Sequence, residues 1–405
     1  GISTNLNKAL QLGLYNEYAG DPGFIGQDIQ NILNVTVEDV ERAYNKYIKN
    51  KPAIYLSMVP KDQSELVLSG SEKANIKEEK IVAGAEKEFK MKYGKEKAEF
   101  KKTPTIYDRS EPPLGEPPLL EVPTVWRGDL ANGVKLYGIE NNELPMVQFT
   151  MRIDGGQSLD PQGKEGVASI LGTMLKEGTK NRTPAELEEA IDLLGSSIST
   201  SVGLEGMYIT GNTLAKNFKE TISLLTEMLT EPRWDVQAFD IVKNRRMNSI
   251  KQRKTNAQSV AFSALAKQLY GSNHPASTPL GGTEKTVNSI TMKDIKNYFK
   301  SNISPKVSHF HIAGDIKQTT AQRLLGHLSQ SWRGEKIDIP KIASVQTPTK
   351  PKVFFIDIPD AKQSAISVGT LTISGDDPEL FKLTVVNNRL GGGMEARLMR
   401  TLRLE

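Results

Sequence analysis

One stretch of the chain matches another 255 positions further on (291 − 36), and this self-match constrains the fold more than any other feature. Thr36-Val37-Glu38-Asp39-Val40 and Thr291-Met292-Lys293-Asp294-Ile295 each set a Thr three residues ahead of an Asp. That spacing marks a helix start in which hydroxyl and carboxylate satisfy orphan backbone N–H groups, and an acid in the first turn suits the helix dipole. The register continues backward without a gap through Ile32/Val287, Gly26/Gly281 and Tyr15/Tyr270. Forward, both helices run through turns containing Lys and Pro into β-type runs, Ile54–Val59 and Val307–Ala313. A shared cap alone is weak. A gap-free match over about thirty positions, leading into the same element type, implies a duplicated domain.

The duplication sets the expected organisation. Residues 1–60 read as the C-terminal part of a preceding domain and 126–345 as a complete domain. Residues 346–405 read as the start of a further one, cut short. Between them, 61–125 read as a linker: Lys73 to Lys102 is a Lys/Glu-rich stretch suited to an exposed helix. Pro112, Pro113, Pro117, Pro118 and Pro123 then form a stiff tether. The start at Gly1-Ile2-Ser3 has no initiator Met, basic region or apolar core of a leader, and the end at Leu404-Glu405 has no helix cap. The expectation is a segment of a longer polypeptide.

Composition then excludes several functions. There is no cysteine among 405 residues, so disulfides, thiolate catalysis and Cys-ligated zinc are out. Lys plus Arg number 52 against 48 Asp plus Glu, a net charge of +4 too even to suggest a nucleic-acid surface. No apolar run reaches the roughly 18 residues of a membrane-spanning helix.

Within the complete unit, Asn132-Gly133 between alternating runs signals a β-hairpin, and Pro145–Ile153 a further strand. Gly166–Leu175 is an apolar helix, with Val167, Ile170, Leu171 and Met174 at helical spacing. Thr183-Pro184-Ala185-Glu186 opens another through a capping box and a Pro at the first helical position. Its apolar face is Leu187, Ala190, Ile191 and Leu194. Ile198–Leu214 reads as two strands, and Phe218–Leu229, Phe239–Arg253 and Ser259–Tyr270 as helices. From Lys352 the pattern restarts with strands Val353–Ile358 and Gln363–Gly369, then helix Pro378–Leu390. Strands and helices without regular βαβ alternation indicate an α+β fold.

The run Gly163-Lys-Glu-Gly166-Val-Ala168-Ser169-Ile-Leu-Gly172-Thr173-Met-Leu-Lys-Glu-Gly178-Thr179 resembles the M16 (insulinase/pitrilysin) metallopeptidases, whose active half reads Gly-x-Ala-His-x-x-Glu-His-Met-x-x-x-Gly-Thr. Arg152-Ile-Asp-Gly-Gly-Gln-Ser158, the Asn-Gly hairpin, Arg182 to Gly195, His311-Ile-Ala-Gly-Asp315, and Gln363 with Leu390–Leu398 add to the resemblance. It implies an M16-type, LuxS/metallohydrolase-like α+β fold, with an antiparallel sheet, helices packed on one face, and the whole duplicated. It further implies a two-half, single-chain zinc endopeptidase whose halves close on a peptide.

Zinc hydrolysis requires two imidazoles one helical turn apart, a carboxylate base and a third ligand. The first His position is Ser169, the Glu position Gly172, the second His position Thr173, and the distal Glu position Ser249. None of these can ligate zinc or act as the base. The expectation is therefore the non-catalytic half, with no cofactor of its own and zinc carried by a catalytic half upstream. Its partners would be a peptide or unfolded polypeptide and that upstream half, with neither nucleic acid nor a transmembrane segment. The resemblance also maps a substrate-binding Arg onto Arg403, which on the residues alone reads equally as an exposed helix cation. The alternative is a non-peptidase M16 subunit that is structural or belongs to a processing complex. Many bacterial relatives of this type are exported, which implies a periplasmic or cell-envelope location.

Other candidates carry less. His309 and His311 alternate onto one strand face, a possible metal pair without an evident third ligand, and His274 and His327 stand alone. Gly391-Gly392-Gly393 before a helix lacks the Gly-Lys-Ser/Thr of a phosphate loop and reads as a backbone turn.

Overall fold

A computed structural model describes residues 4–60, 62–74, 106, 108, 110, 113, 115, 116, 121–359 and 363–404, with backbone alone at 403 and 404. The Lys/Glu stretch expected as an exposed helix lies outside these residues apart from Lys73 and Ala74, as do Pro112, Pro117 and Pro118 of the tether. The chain divides into two units, Gly1–Leu119 and Leu120–Glu405.

The first unit carries three helices. α1 (Asn5–Ala19) starts at Thr4, whose hydroxyl accepts the Asn7 N–H, and stops at Gly20 in the left-handed region. α2 (Ile25–Leu33) is tied to α1 by the Tyr15 hydroxyl, which donates to Asp28 at 2.7 Å. α3 (Val37–Tyr47) begins in the expected capping box of Thr36 and Asp39. No residue of these helices is buried. The run Ile54–Val59 is not a strand: Ile54, Tyr55, Leu56 and Met58 are exposed and no ladder includes them. A β-type sequence becomes a strand only where another strand takes its backbone N–H and C=O groups.

The second unit is built on a six-stranded sheet of order β1-β2-β6-β3-β5-β4. β1 (Trp126–Asp129) and β2 (Lys135–Glu140) form the hairpin that Asn132-Gly133 signals, with Gly133 at φ 100, where a Cβ would be strained. The buried Asn132 locks the turn: its side-chain amide donates to the Trp332 carbonyl and its own N–H to the Ser329 hydroxyl. β3 (Met146–Asp154), β4 (Ser197–Val202), β5 (Gly206–Leu214) and β6 (Ser308–Gly314) complete the sheet. Four neighbouring pairs are antiparallel, and β2 with β6 is the one parallel pair, so the sheet is mixed. β6 enters beside β2 after a long helical crossover, which a parallel pairing requires.

Period-two alternation sorts the faces. Val147, Phe149, Met151 and Ile153 of β3, Met207 and Ile209 of β5, and Phe310 and Ile312 of β6 point into one core. There Phe149 stacks on Phe310 at 5.4 Å and meets Phe218 edge-on. Helices cover this face: α4 (Val167–Met174), α5 (Pro184–Leu193), α6 (Phe218–Thr230), α7 (Val236–Thr255), α9 (Glu284–Ser289), α10 (Met292–Asn302), α11 (Gln318–Leu324) and α12 (Gly326–Ser331), while α8 (Ala257–Tyr270) packs on α7 and buries no residue. The opposite face is polar, with Gln148, Thr150, Arg152, Tyr208, Thr210, His309 and His311 on the alternate positions.

α10 spans the positions of α3 displaced by 255 at both ends, and begins in the same Thr-x-x-Asp capping box. Its setting differs. Ile295 and Tyr298 are buried, and Tyr298 donates from its hydroxyl to the Gly156 carbonyl at 2.6 Å. Towards the C-terminus, 353–358 and 363–369 are not strands, again because the sheet offers them no ladder partner. α13 (Leu380–Gly391) forms within a residue or two of its expected bounds.

Candidate functional site

α4 is the helix on which three of the four motif positions fall. Asp160 fixes its start: the carboxylate accepts the Gly166 N–H at 2.6 Å and the Ala168 N–H at 2.9 Å. Burial pushes the Asp160 carboxyl up to about 7, against these backbone donors, which favour the anion. Tyr298 is pushed up in turn by burial and then by the nearby Asp160.

Val167, Ala168, Ile170, Leu171 and Met174 bury most of the α4 surface, and Ser169 and Thr173 occupy the remaining, half-buried face one turn apart. The Thr173 hydroxyl turns back to the Ser169 carbonyl at 3.3 Å. Gly172 lies buried against the edge strand β4. A Cβ there would stand 3.0 Å from Val202 Cγ2, and the Gly172 carbonyl accepts the Thr200 hydroxyl at 2.6 Å. At the Glu position the backbone of α4 thus sits so close to β4 that a side chain needs the Val202 methyl to give way by a few tenths of an ångström.

The distal position, Ser249, does not join the α4 positions. Ser249 is exposed on α7, and the α7 residue that reaches α4 is Arg246, whose guanidinium donates to the Ser169 hydroxyl. The buried residues of α7 are Phe239, Val242 and Ile250. Arg246 falls on that stripe, seven residues after Phe239 and four before Ile250, whereas Ser249 is turned away by about 100° from Ile250. Occupation of an apolar-stripe slot by an Arg was the signal that could have singled it out. Arg246 also lies over the loop at Gly281, where a Cβ would come within 2.7 Å of its Nη1. The same loop is held by Gln157, which accepts the Gly281 N–H at 2.8 Å, and by Arg253, which donates to the Leu280 carbonyl at 3.0 Å. The structure therefore brings Ser169, Gly172 and Thr173 together on α4, adds Arg246, and leaves Ser249 apart. Arg403 falls in the π-type turn Arg400–Leu404, its side chain outside the described residues.

The histidines have other settings. On the open sheet face, His309 Nε2 lies 3.1 Å from Asp154, which also faces Arg152 Nε at 2.8 Å. Tyr137 stacks on His311 at 5.2 Å, and burial, then His309 and Arg152, hold the His311 pKa below its usual value. His274 stacks on Tyr270 and accepts the Ala276 N–H, a local turn contact. His327 is exposed on α12. Among the described residues no three His, Cys, Asp or Glu side chains converge on one point, and no helix is long and apolar enough to cross a membrane.

Two family models match the chain in succession from residue 138 to its end. Residues 138–284 match the insulinase (peptidase family M16) model, and 289–405 the peptidase M16 inactive-domain model. The chain belongs to the M16 family. The relatives it resembles are distant. It is 25% identical over 268 residues to the Helicobacter pylori protein named non-peptidase homolog YmxG, covering 66% of this chain and 61% of that one. A second M16 relative is the Bacillus subtilis protein named uncharacterized zinc protease YmxG, at 22% over 67% and 65% of the two chains. A third is the rat mitochondrial-processing peptidase subunit beta, at 22% over 67% and 55%. The chain thus spans between about half and two-thirds of these M16 relatives. The M16 fold is matched by the crystal structure of a peptidase M16 inactive domain from Pseudomonas fluorescens, with TM-score 0.61, 22% identity and 70% of this chain covered. For an M16 chain the implied metal is zinc, and the residues present do not fit it. Two hydroxyls, a glycine and a guanidinium supply neither the neutral nitrogen and carboxylate donors nor the base, and the guanidinium repels a cation.

Proposed function

We propose that this chain is the non-catalytic part of a zinc-dependent M16 endopeptidase, and that it encloses and holds the peptide while an upstream half of the same polypeptide hydrolyses it. The observation that carries this reading is the state of α4 and its neighbour. The helix keeps its cap, packing and contact with β4, while its chemistry-bearing positions hold Ser169, Gly172 and Thr173. β4 ends the sheet, so every second residue turns its N–H and C=O away from β5 towards an added strand. Its side chains (Ser197, Ser199, Thr200 and Ser201) are small and uncharged, with no Pro to block pairing.

The upstream partner is supported by the two copies of the repeat. Val287, Ile290, Ile295 and Ile303 are buried on and around α9 and α10, the helices that pack on α7 and α4. Their equivalents 255 positions earlier, Ile32, Val35, Val40 and Ile48, are exposed on and around α2 and α3. The same apolar face is thus covered in one copy and bare in the other. It fits a module that supplies an α4-like helix and its sheet, and on this reading the module lies ahead of α1, as α4 lies ahead of α10 in the second unit.

A polarisation measurement with a fluorescent unfolded peptide tests the holding role. The peptide binds without being cut, and N-methylating alternate backbone amides weakens it at least tenfold, because β-addition uses those donors. Equal binding of the methylated peptide would refute a strand-edge mode. The second reading, an assembly or processing-complex subunit, is favoured by the name non-peptidase homolog given to the H. pylori relative. An intact His-x-x-Glu-His with a distal Glu in the upstream half decides for the peptidase, and its absence for the subunit.

A further inference from the structure

Arg246 carries a charge that no acid among the described residues neutralises. Several half-buried bases of the second unit have acid partners, Lys164 with Asp294, Arg182 with Glu227 and Arg152 with Asp154, while Lys243 and Arg253 are satisfied by backbone carbonyls. Arg246 is half-buried between α4 and the loop at Gly281, and its partner is the neutral Ser169 hydroxyl. Among the described residues no Asp or Glu forms an ion pair with it. The charged side chain that bears on it is Arg253, of the same sign, which together with burial lowers the Arg246 pKa. A guanidinium stays protonated under these conditions, so the site keeps a desolvated cation without a counter-charge among the described residues.

The surroundings suit an anion. The guanidinium presents a planar fork of donors, which matches a carboxylate in bidentate geometry. Ser169 and Thr173 add two hydroxyls one turn apart on the α4 face beside it. That helix also touches the open edge strand through Gly172 and Thr200. We propose that Arg246, with the Ser169 hydroxyl, forms a carboxylate-binding site for a peptide lying along β4, a fixed guanidinium standing where the catalytic half of the family places its metal. The inference rests on the peptide-holding role proposed above and adds a chemical preference to it, for peptides bearing an acidic side chain or a free C-terminal carboxylate near α4.

The test uses the 405-residue chain and three labelled peptides of one otherwise uncharged sequence: amidated with one Glu, amidated with Gln in its place, and the Gln peptide with a free C-terminus. At least one carboxylate peptide binds on the order of 10- to 100-fold more tightly than the amidated Gln peptide, and which one identifies the source of the carboxylate. Arg246→Gln abolishes that preference, and Arg246→Lys retains part of it. Arg245→Gln, which removes the same formal charge from an exposed neighbouring position, leaves it unchanged. Without peptide, Arg246→Gln raises the thermal midpoint, because it relieves an unpaired buried charge; this readout also shows that the variant folds. Equal binding of all three peptides would overturn the carboxylate site while leaving the strand-edge reading intact. Equal losses in the Arg245 and Arg246 variants would overturn it too. No binding of any peptide would refute both.

Discussion

Ile295→Ala and Val40→Ala place the same kind of truncation in the two copies of one helix. Ile295 is 0% exposed in α10, whereas Val40, its equivalent 255 positions earlier in α3, is 59% exposed. Removing three carbons from Ile295 forfeits about 2.4 kcal/mol of transfer free energy at about 0.8 kcal/mol per methylene. The cavity left between α10 and α4 brings the total to about 3–4 kcal/mol. Removing two carbons from a side chain already more than half in water costs about 0.6 kcal/mol, which the better helix propensity of Ala largely offsets. In the 405-residue chain, urea denaturation followed by hydrogen exchange of α10 amides should therefore show a large loss for Ile295→Ala, while α3 amides barely respond to Val40→Ala. In a longer polypeptide that includes the preceding module, Val40→Ala should cost about 2 kcal/mol, because the module covers that face. A substantial loss for Val40→Ala in the shorter chain, or none in the longer polypeptide, would refute the covered-and-bare comparison.

Further expectations concern α4. The Asp160 carboxyl has its folded-state pKa raised to about 7, above the value of about 3.9 for an unfolded chain. Between those limits the native state holds a proton that the unfolded state has lost, so its contribution to stability is greatest below about pH 4. That contribution falls, by up to about 4 kcal/mol, as pH rises to about 7. Subtracting the Asp160→Asn denaturation curve from that of the unaltered chain isolates this slope, and identical slopes in the two proteins would contradict it. Gly172→Glu destabilises by about 2–4 kcal/mol in thermal denaturation, because a side chain there meets Val202 at 3.0 Å and buries a carboxylate against β4. Restoring the two imidazoles and the base together, as Ser169→His with Gly172→Glu and Thr173→His, yields no stoichiometric zinc by metal analysis while Arg246 remains. Adding Arg246→Gln raises the zinc content.

Much of this fold was legible because its signals are local. Thr36/Asp39, Thr183/Glu186 and Thr291/Asp294 announced their helices through side chains that bond their own backbone. Asn132-Gly133 announced its hairpin in the same way. What the sequence concealed depends on distant partners. Ile54–Val59 and Val353–Ile358 have strand composition but no ladder, and the parallel pairing of β2 with β6 joins residues more than 170 positions apart. At the site, Ser169, Gly172 and Thr173 were readable from a contiguous motif. The distal position was not, because it depends on how α7 rotates against α4, and α7 has few apolar residues to fix that rotation by pattern. The capping role of Asp160 was not legible for a related reason: it caps α4 from six residues before Gly166, across a turn, rather than from the usual capping position.

The central claim is that this M16 chain holds a peptide along β4 and does not cut it. Hydrogen exchange read by mass spectrometry, with the 405-residue chain, zinc and an unfolded peptide in one sample, tests both parts at once. The expected result is slower exchange of β4 amides when peptide is added, with the peptide mass unchanged throughout. Zinc-dependent appearance of peptide fragments, or β4 exchange indifferent to the peptide, would contradict it.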